Sequence, residues 1–191
     1  MKNRVIVVGL AGVGKSTVLD ELRKIAEADG VTLNIVNYGS TMMEIAAGMF
    51  KDRDDVRQSS LEVQHELQRK AAEFIVDHHN TTTPLIVDTH LIVNTPSGYL
   101  PGIPSHVLAA IKPDLLILVE APVDDIAARR QSDASRRRDA STLEGVHLET
   151  QLSRAMASTC STIAGAPLAV VVNAPGAAHE AGKRLYDLIR N

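Results

Sequence analysis

The chain has 191 residues, 45% of them hydrophobic and 23% charged, a balance typical of globular domains that excludes wholesale disorder. Twenty basic against 23 acidic residues leave a net charge of −3, which argues against a generally nucleic-acid-binding surface and leaves room for a local basic patch. The single cysteine, Cys160, excludes an internal disulfide and a cysteine framework for zinc.

The first apolar run, residues 5–8 (VIVV), follows Met1-Lys2-Asn3-Arg4 and superficially resembles a short signal peptide. It runs through glycines straight into Gly14-Lys15-Ser16-Thr17, so it reads instead as a buried strand entering a turn. Elsewhere the apolar runs fall short of the ~20 residues that span a bilayer, and a soluble, cytoplasmic domain is expected. Val18, Leu19, Leu22, Ile25 and Ala26 then recur at helical spacing. A second strand is predicted over 31–37. Leu61, Leu67, Ala71, Phe74 and Ile75 mark a longer helix, and a third strand covers 85–87. Residues 94–104, rich in Pro and Gly, read as a loop. Further strands are predicted over 115–119 and 168–172, and Ala178, Ala181, Leu185, Leu188 and Ile189 close the chain with an amphipathic helix.

Continuous apolar strands alternating with helices imply a three-layer α/β fold around a parallel sheet, in one domain spanning 1–191. Ligands of such folds bind at the carboxyl ends of the strands. That rule puts the 9–17 segment, Tyr38-Gly39-Ser40, Asp88-Thr89-His90 and Glu120-Ala121 on one rim.

The strongest chemical signal is the run Gly9, Leu10, Ala11, Gly12, Val13, Gly14, Lys15, Ser16, which fits G-x-x-x-x-G-K-[ST] between a strand and a helix. Glycines let the backbone curl its N–H groups toward phosphate oxygens, and the following helix adds its N-terminal dipole. Lys15 supplies a cation between the transferring and leaving phosphates, and Ser16 can ligate magnesium. Asp88, ending an apolar strand, suits a magnesium carboxylate and is preferred to Glu120, which leads into Ala121-Pro122. Five arginines lie in the ten positions 129–138. They read as a cover that folds over phosphates, with a solvated helix face and an RNA contact as the alternatives. Residues 37–41 (NYGST) could hold a small polar acceptor, and the charged run 52–57 offers Arg57 as a cation at the mouth of the site. His78-His79 lacks a third ligand at useful spacing, and Met42, Met43 and Met49 near Phe50 read as packing for a small helix.

These motifs resemble the archaeal-type adenylate kinases of the nucleoside monophosphate kinase group. The resemblance runs through GLAGVGKST, Asn37-Tyr38-Gly39, residues 52–57 and 61–64, Val87-Asp88-Thr89-His90, residues 98–104 and Arg136-Arg137-Arg138-Asp139. It implies a P-loop fold with a five-stranded parallel sheet in the order 2-3-1-4-5. It also implies a mobile AMP-binding segment over 38–80 and a short lid over 124–145. The implied reaction is reversible γ-phosphoryl transfer from MgATP to AMP, giving two ADP, in a protein that is often trimeric. By the same resemblance, Gly9 through Thr17 hold ATP and Ser16 and Asp88 serve magnesium. Tyr38, Gly39, Ser40, Arg57, Thr89, His90 and Tyr99 would shape the AMP site. Lys15, Arg129, Arg136 and Arg138 would stabilise the transferring group. Ala11 and Ser40 stand where family members usually carry Pro and often Thr, changes that remove no charged or magnesium-binding group. A P-loop kinase of another small acceptor and an RNA-associated ATPase are the remaining readings.

Overall fold

Among the described residues the strands are β1 (Arg4–Gly9), β2 (Asn34–Asn37), β3 (Leu85–Thr89), β4 (Ile92–Thr95), β5 (Gly98–Pro101), β6 (Leu115–Glu120) and β7 (Leu168–Val172). The computed structural model describes residues 1–95, 97–132 and 142–191. Five strands form one sheet in the order β2-β3-β1-β6-β7 with every pairing parallel, which in their own chain order is 2-3-1-4-5. β3 and β6 are buried along their whole length and β1 from Val5 onward, as continuous apolar runs covered on both faces require. β7 lies at the edge and exposes Val170 and Val172.

Two expectations change here. The second strand begins at Asn34 rather than at residue 31, because the Val31 N–H turns back to the Ala26 carbonyl at 2.8 Å and pairing with β3 starts at Asn34. The Pro- and Gly-rich stretch contains the antiparallel hairpin β4–β5, a second small sheet beside the expected five strands. Gly98, at φ 114°, provides the turn, and the Thr95 hydroxyl donates to its carbonyl at 2.8 Å.

The helices are α1 (Lys15–Ala28), α2 (Tyr38–Ile45), α3 (Arg53–Gln58), α4 (Leu61–Asp77), α5 (Ser105–Ile111), α6 (Val123–Ser132), α7 (Leu143–Ala164) and α8 (Ala178–Arg190). α1 and α8 meet so closely that a Cβ on Gly182 would lie 2.9 Å from the Leu22 backbone nitrogen. α4 keeps its predicted place with a shifted buried stripe. Leu61 and Phe74 are exposed, while Gln64 and Gln68 are buried with their amides donating to the Ser59 and Pro101 carbonyls at 2.9 and 3.0 Å. α7, the longest helix among the described residues, turns inward Val146, Thr150, Ser153, Ala157 and Cys160, a face too small and polar to register as a hydrophobic stripe. Ala46, Val56 and Leu67 form a second small cluster with Met42, Met43, Ile45 and Phe50, of which Met42 and Ile45 also pack on the main core around the central sheet. Met49 stays exposed. Among the described residues, no helix is long and apolar enough to cross a membrane.

Candidate active site

The glycine-rich segment links the carboxyl end of β1 to the first turn of α1. Gly12 and Gly14 sit at φ 99° and 83°, a region that side chains with a Cβ rarely enter, so the turn depends on them. Three consecutive carbonyls of this loop are held by side chains distant in sequence. Arg130 Nε donates to the Ala11 carbonyl at 2.7 Å, Arg129 Nη1 to Gly12 at 3.1 Å and Asn173 Nδ2 to Val13 at 2.8 Å. In a trans peptide the carbonyl and the next N–H point oppositely, so clasping Ala11 and Val13 aims the Gly12 and Gly14 amides the other way. The Val13 N–H closes the turn onto Leu10 at 3.3 Å. No side chain among the described residues caps the first turn of α1, where Ser16 and Thr17 are exposed. Uncapped amides at a helix start favour an anion.

Lys15 is buried and its ammonium donates to Asp88 Oδ1 at the end of β3. Burial pulls the Lys15 ammonium down to about 7, with the Arg53 guanidinium as a secondary cause, while the touching carboxylate acts in the opposite direction. Asp88 Oδ2 accepts from Asn37 Nδ2 at 2.6 Å. Asn37 Oδ1 in turn accepts from the Ser40 N–H at 2.9 Å, the Ser40 hydroxyl at 3.1 Å and Arg53 Nη2 at 3.1 Å. Arg53 Nη2 also donates to the Ser40 hydroxyl at 2.9 Å. A continuous polar chain therefore runs from Lys15 through Asp88 and Asn37 to the start of α2 and to α3. Arg53 lies against Gly39, where a Cβ would come within 3.3 Å of its guanidinium carbon.

The structure brings Arg53 to this chain rather than Arg57. Asp52 caps α3, which places Arg53 on the first turn; Arg57 stands one turn on and pairs with Asp54 at 2.8 Å at the exposed surface. The segment expected as an open acceptor loop starts a helix at Tyr38, because the Asn37 side chain caps it. Tyr38 is buried in the main core, and its hydroxyl donates to the Gln68 carbonyl. That burial raises its pKa well above the ordinary phenol range. Its place is to brace α2 on α4, while Gly39 and Ser40 face Arg53. Thr89 ends β3 and His90 follows it. A Cβ on Gly102 would overlap the His90 carbonyl, and the Gly102 N–H donates to Leu91 at 2.8 Å, so the hairpin folds back tightly onto this rim. Tyr99 is 41% exposed on β5. Arg136 and Arg138 lie outside the described residues.

Glu120, the competing carboxylate, is engaged by Arg154 through two bonds at 2.6 and 2.7 Å, and its backbone carbonyl accepts from the Asn173 N–H at 2.7 Å. Asn173 itself went unnoticed in the sequence, although it follows the fifth apolar run on the same rim. Arg53 was visible there only as one member of a charged run.

A glycine loop between a parallel strand and a helix, with a buried lysine against a strand-end aspartate, defines a P-loop nucleotide-binding domain of the small-molecule kinase type. A family model described as an AAA domain matches residues 8–147. The adenylate kinase of Methanothermobacter thermautotrophicus is 41% identical over 171 residues, covering 88% of this chain and 89% of that protein. That of Methanococcus vannielii is 36% identical over 193 residues and covers 100% of both. The crystal structure of shikimate kinase from Bacteroides thetaiotaomicron, 12% identical, covers 100% of both chains at a TM-score of 0.61 and speaks for the fold alone. The chain belongs to the adenylate kinase family of archaeal type.

Proposed function

We propose that this protein catalyses reversible transfer of the γ-phosphoryl group of MgATP to AMP, giving two ADP. The observation that carries the reading is the polar chain from Lys15 through Asp88 and Asn37 to Ser40 and Arg53. It joins a phosphate-binding loop to a cationic acceptor pocket across one carboxylate.

The Gly9–Thr17 loop holds the ATP phosphates with its amides, and Lys15 leaves Asp88 for the β- and γ-phosphates as ATP enters. An AMP phosphate oxygen attacks the γ-phosphorus while the bond to the β-phosphate oxygen breaks, and ADP departs. The acceptor is already an oxyanion, so no general base is required; the residues position and neutralise charge. Arg53 lies beside Gly39 and Ser40 and holds the AMP phosphate, and Thr89, His90 and Tyr99 line the rest of the acceptor side. Arg129, already at the loop's edge, joins Arg136 and Arg138 in neutralising the transferring group. The 38–80 segment, with its own small core, and the 124–145 segment are the parts that close over the substrates.

The residues present suit magnesium. The Ser16 hydroxyl is exposed one residue from the lysine that touches Asp88. A hydroxyl and a carboxylate are hard oxygen donors of the kind used when phosphates and water complete the shell. When bound with ATP, Mg2+ neutralises charge on the β- and γ-phosphates. By the family resemblance we also propose a homo-oligomer, a trimer, which light scattering checks.

The test is phosphoryl transfer from MgATP to AMP, beside CMP, UMP, GMP and no acceptor. Two ADP formed per ATP consumed, with AMP alone, is the expected result. ATP consumption that ignores the acceptor overturns the reading.

A further inference from the structure

Arg130 occupies an unusual position for a residue in an arginine-rich run. Its side chain is only 7% exposed, and Nη2 pairs with Glu149 Oε2 on α7 at 2.8 Å, where the carboxylate side chain is 18% exposed. The other edge of the same guanidinium donates from Nε to the Ala11 carbonyl at 2.7 Å. Its stem also packs on the loop, since a Cβ at Gly12 would lie 3.3 Å from Arg130 Cγ. Desolvating an arginine is costly unless charge and hydrogen bonds are both satisfied, and here a carboxylate and a carbonyl satisfy them. Such an arginine is not a solvated charge, and both edges described are committed to the protein itself rather than turned to a ligand.

We propose that Arg130, oriented by Glu149, is a positioning residue for ATP. It fixes the Ala11–Gly12 peptide so that the Gly12 N–H faces the phosphates. The inference rests on the reading of this loop as the ATP phosphate site. The pair also links α6 and α7, the helices on either side of residues 133–141, to the loop.

The experiment titrates MgATP and AMP separately by calorimetry into wild type, Arg130→Met and Arg130→Met/Glu149→Gln, with KM for each substrate measured alongside. The double variant leaves no stranded carboxylate and keeps side-chain volume, so it separates positioning from folding. Losing one hydrogen bond from a charged donor is expected to weaken MgATP binding about tenfold in both variants. AMP affinity should stay within about twofold, as no bond of the acceptor side is removed. Glu149→Gln, which leaves the bond to Ala11 but loosens its donor, should give a smaller loss of about threefold. Unchanged MgATP affinity, or equal losses for MgATP and AMP, overturns the proposal. Wild type that fails to bind MgATP overturns the phosphate-loop reading, and the proposal with it.

Discussion

The clasp of Asn173 on the P-loop predicts a specific non-additivity. Asn173 is 4% exposed and donates to the Val13 carbonyl at 2.8 Å, so Asn173→Ala leaves that carbonyl without its partner. The cost of a lost buried hydrogen bond is about 1–3 kcal/mol. Gly14→Ala meets two penalties. At φ 83° a Cβ adds about 1–2 kcal/mol of left-handed strain. The new methyl would also sit 2.5 Å from Asn173 Nδ2, so the amide must shift and the same hydrogen bond is lost. In the double variant the crowding is gone and the bond is lost once rather than twice. The double-mutant cycle should therefore fall short of the sum of the singles by about 1–3 kcal/mol, the cost of the one bond that the two residues share. Urea denaturation of the four proteins measures this directly, with KM for ATP recorded in parallel. Additivity within about 0.5 kcal/mol would mean that Asn173 does not hold the loop, whatever its distance from Val13.

Other outcomes follow from the same geometry. Lys15→Ala should lower kcat at least a hundredfold, about the loss seen on removing one preorganised transition-state donor, and near-wild-type turnover would sink the P-loop assignment. Arg53→Ala should raise KM for AMP about tenfold with little change for ATP, whereas Arg57→Ala, already paired with Asp54 at the surface, should stay within about twofold. Steady-state kinetics of the two variants decides between them, and the reverse pattern would restore Arg57 to the acceptor site. His79 is buried with neither ring nitrogen hydrogen-bonded among the described residues, and burial, with Arg4 as a lesser cause, holds its pKa below the ordinary imidazole value. His106 is lowered too, chiefly by burial and then by His65 and Arg69. The unfolded chain then binds more protons between those lowered values and about 6.5, so their contribution is complete above that pH and is lost as pH falls. The denaturation midpoint should drop between pH 7.5 and 5.5, and less steeply in His79→Asn. Parallel slopes would remove His79 from the account.

Much of this protein was legible locally. The strand, the glycines, Lys15 and Ser16 are contiguous, and a phosphate loop needs only neighbouring residues to curl its backbone, so the motif could be read without the fold. The central strands announced themselves because burial on both faces demands unbroken apolar runs. α7 was harder, since its inward face is built from Thr150, Ser153, Ala157 and Cys160 rather than from large apolar residues. That Arg53 rather than Arg57 meets Asn37 and Ser40 turns on where Asp52 starts α3, a capping detail worth one helical turn. Arg129, Arg130 and Asn173 reach the loop across 117, 119 and 160 positions of chain. Composition and periodicity say that such residues are polar, and they say nothing of which backbone carbonyl each will meet. The order of strands in the sheet decides that, by bringing the ends of β1 and β7 and the last turn of α6 to one rim. A buried carbonyl then takes whichever donor the topology sets beside it, because leaving it unpaired costs more than the bond itself gains.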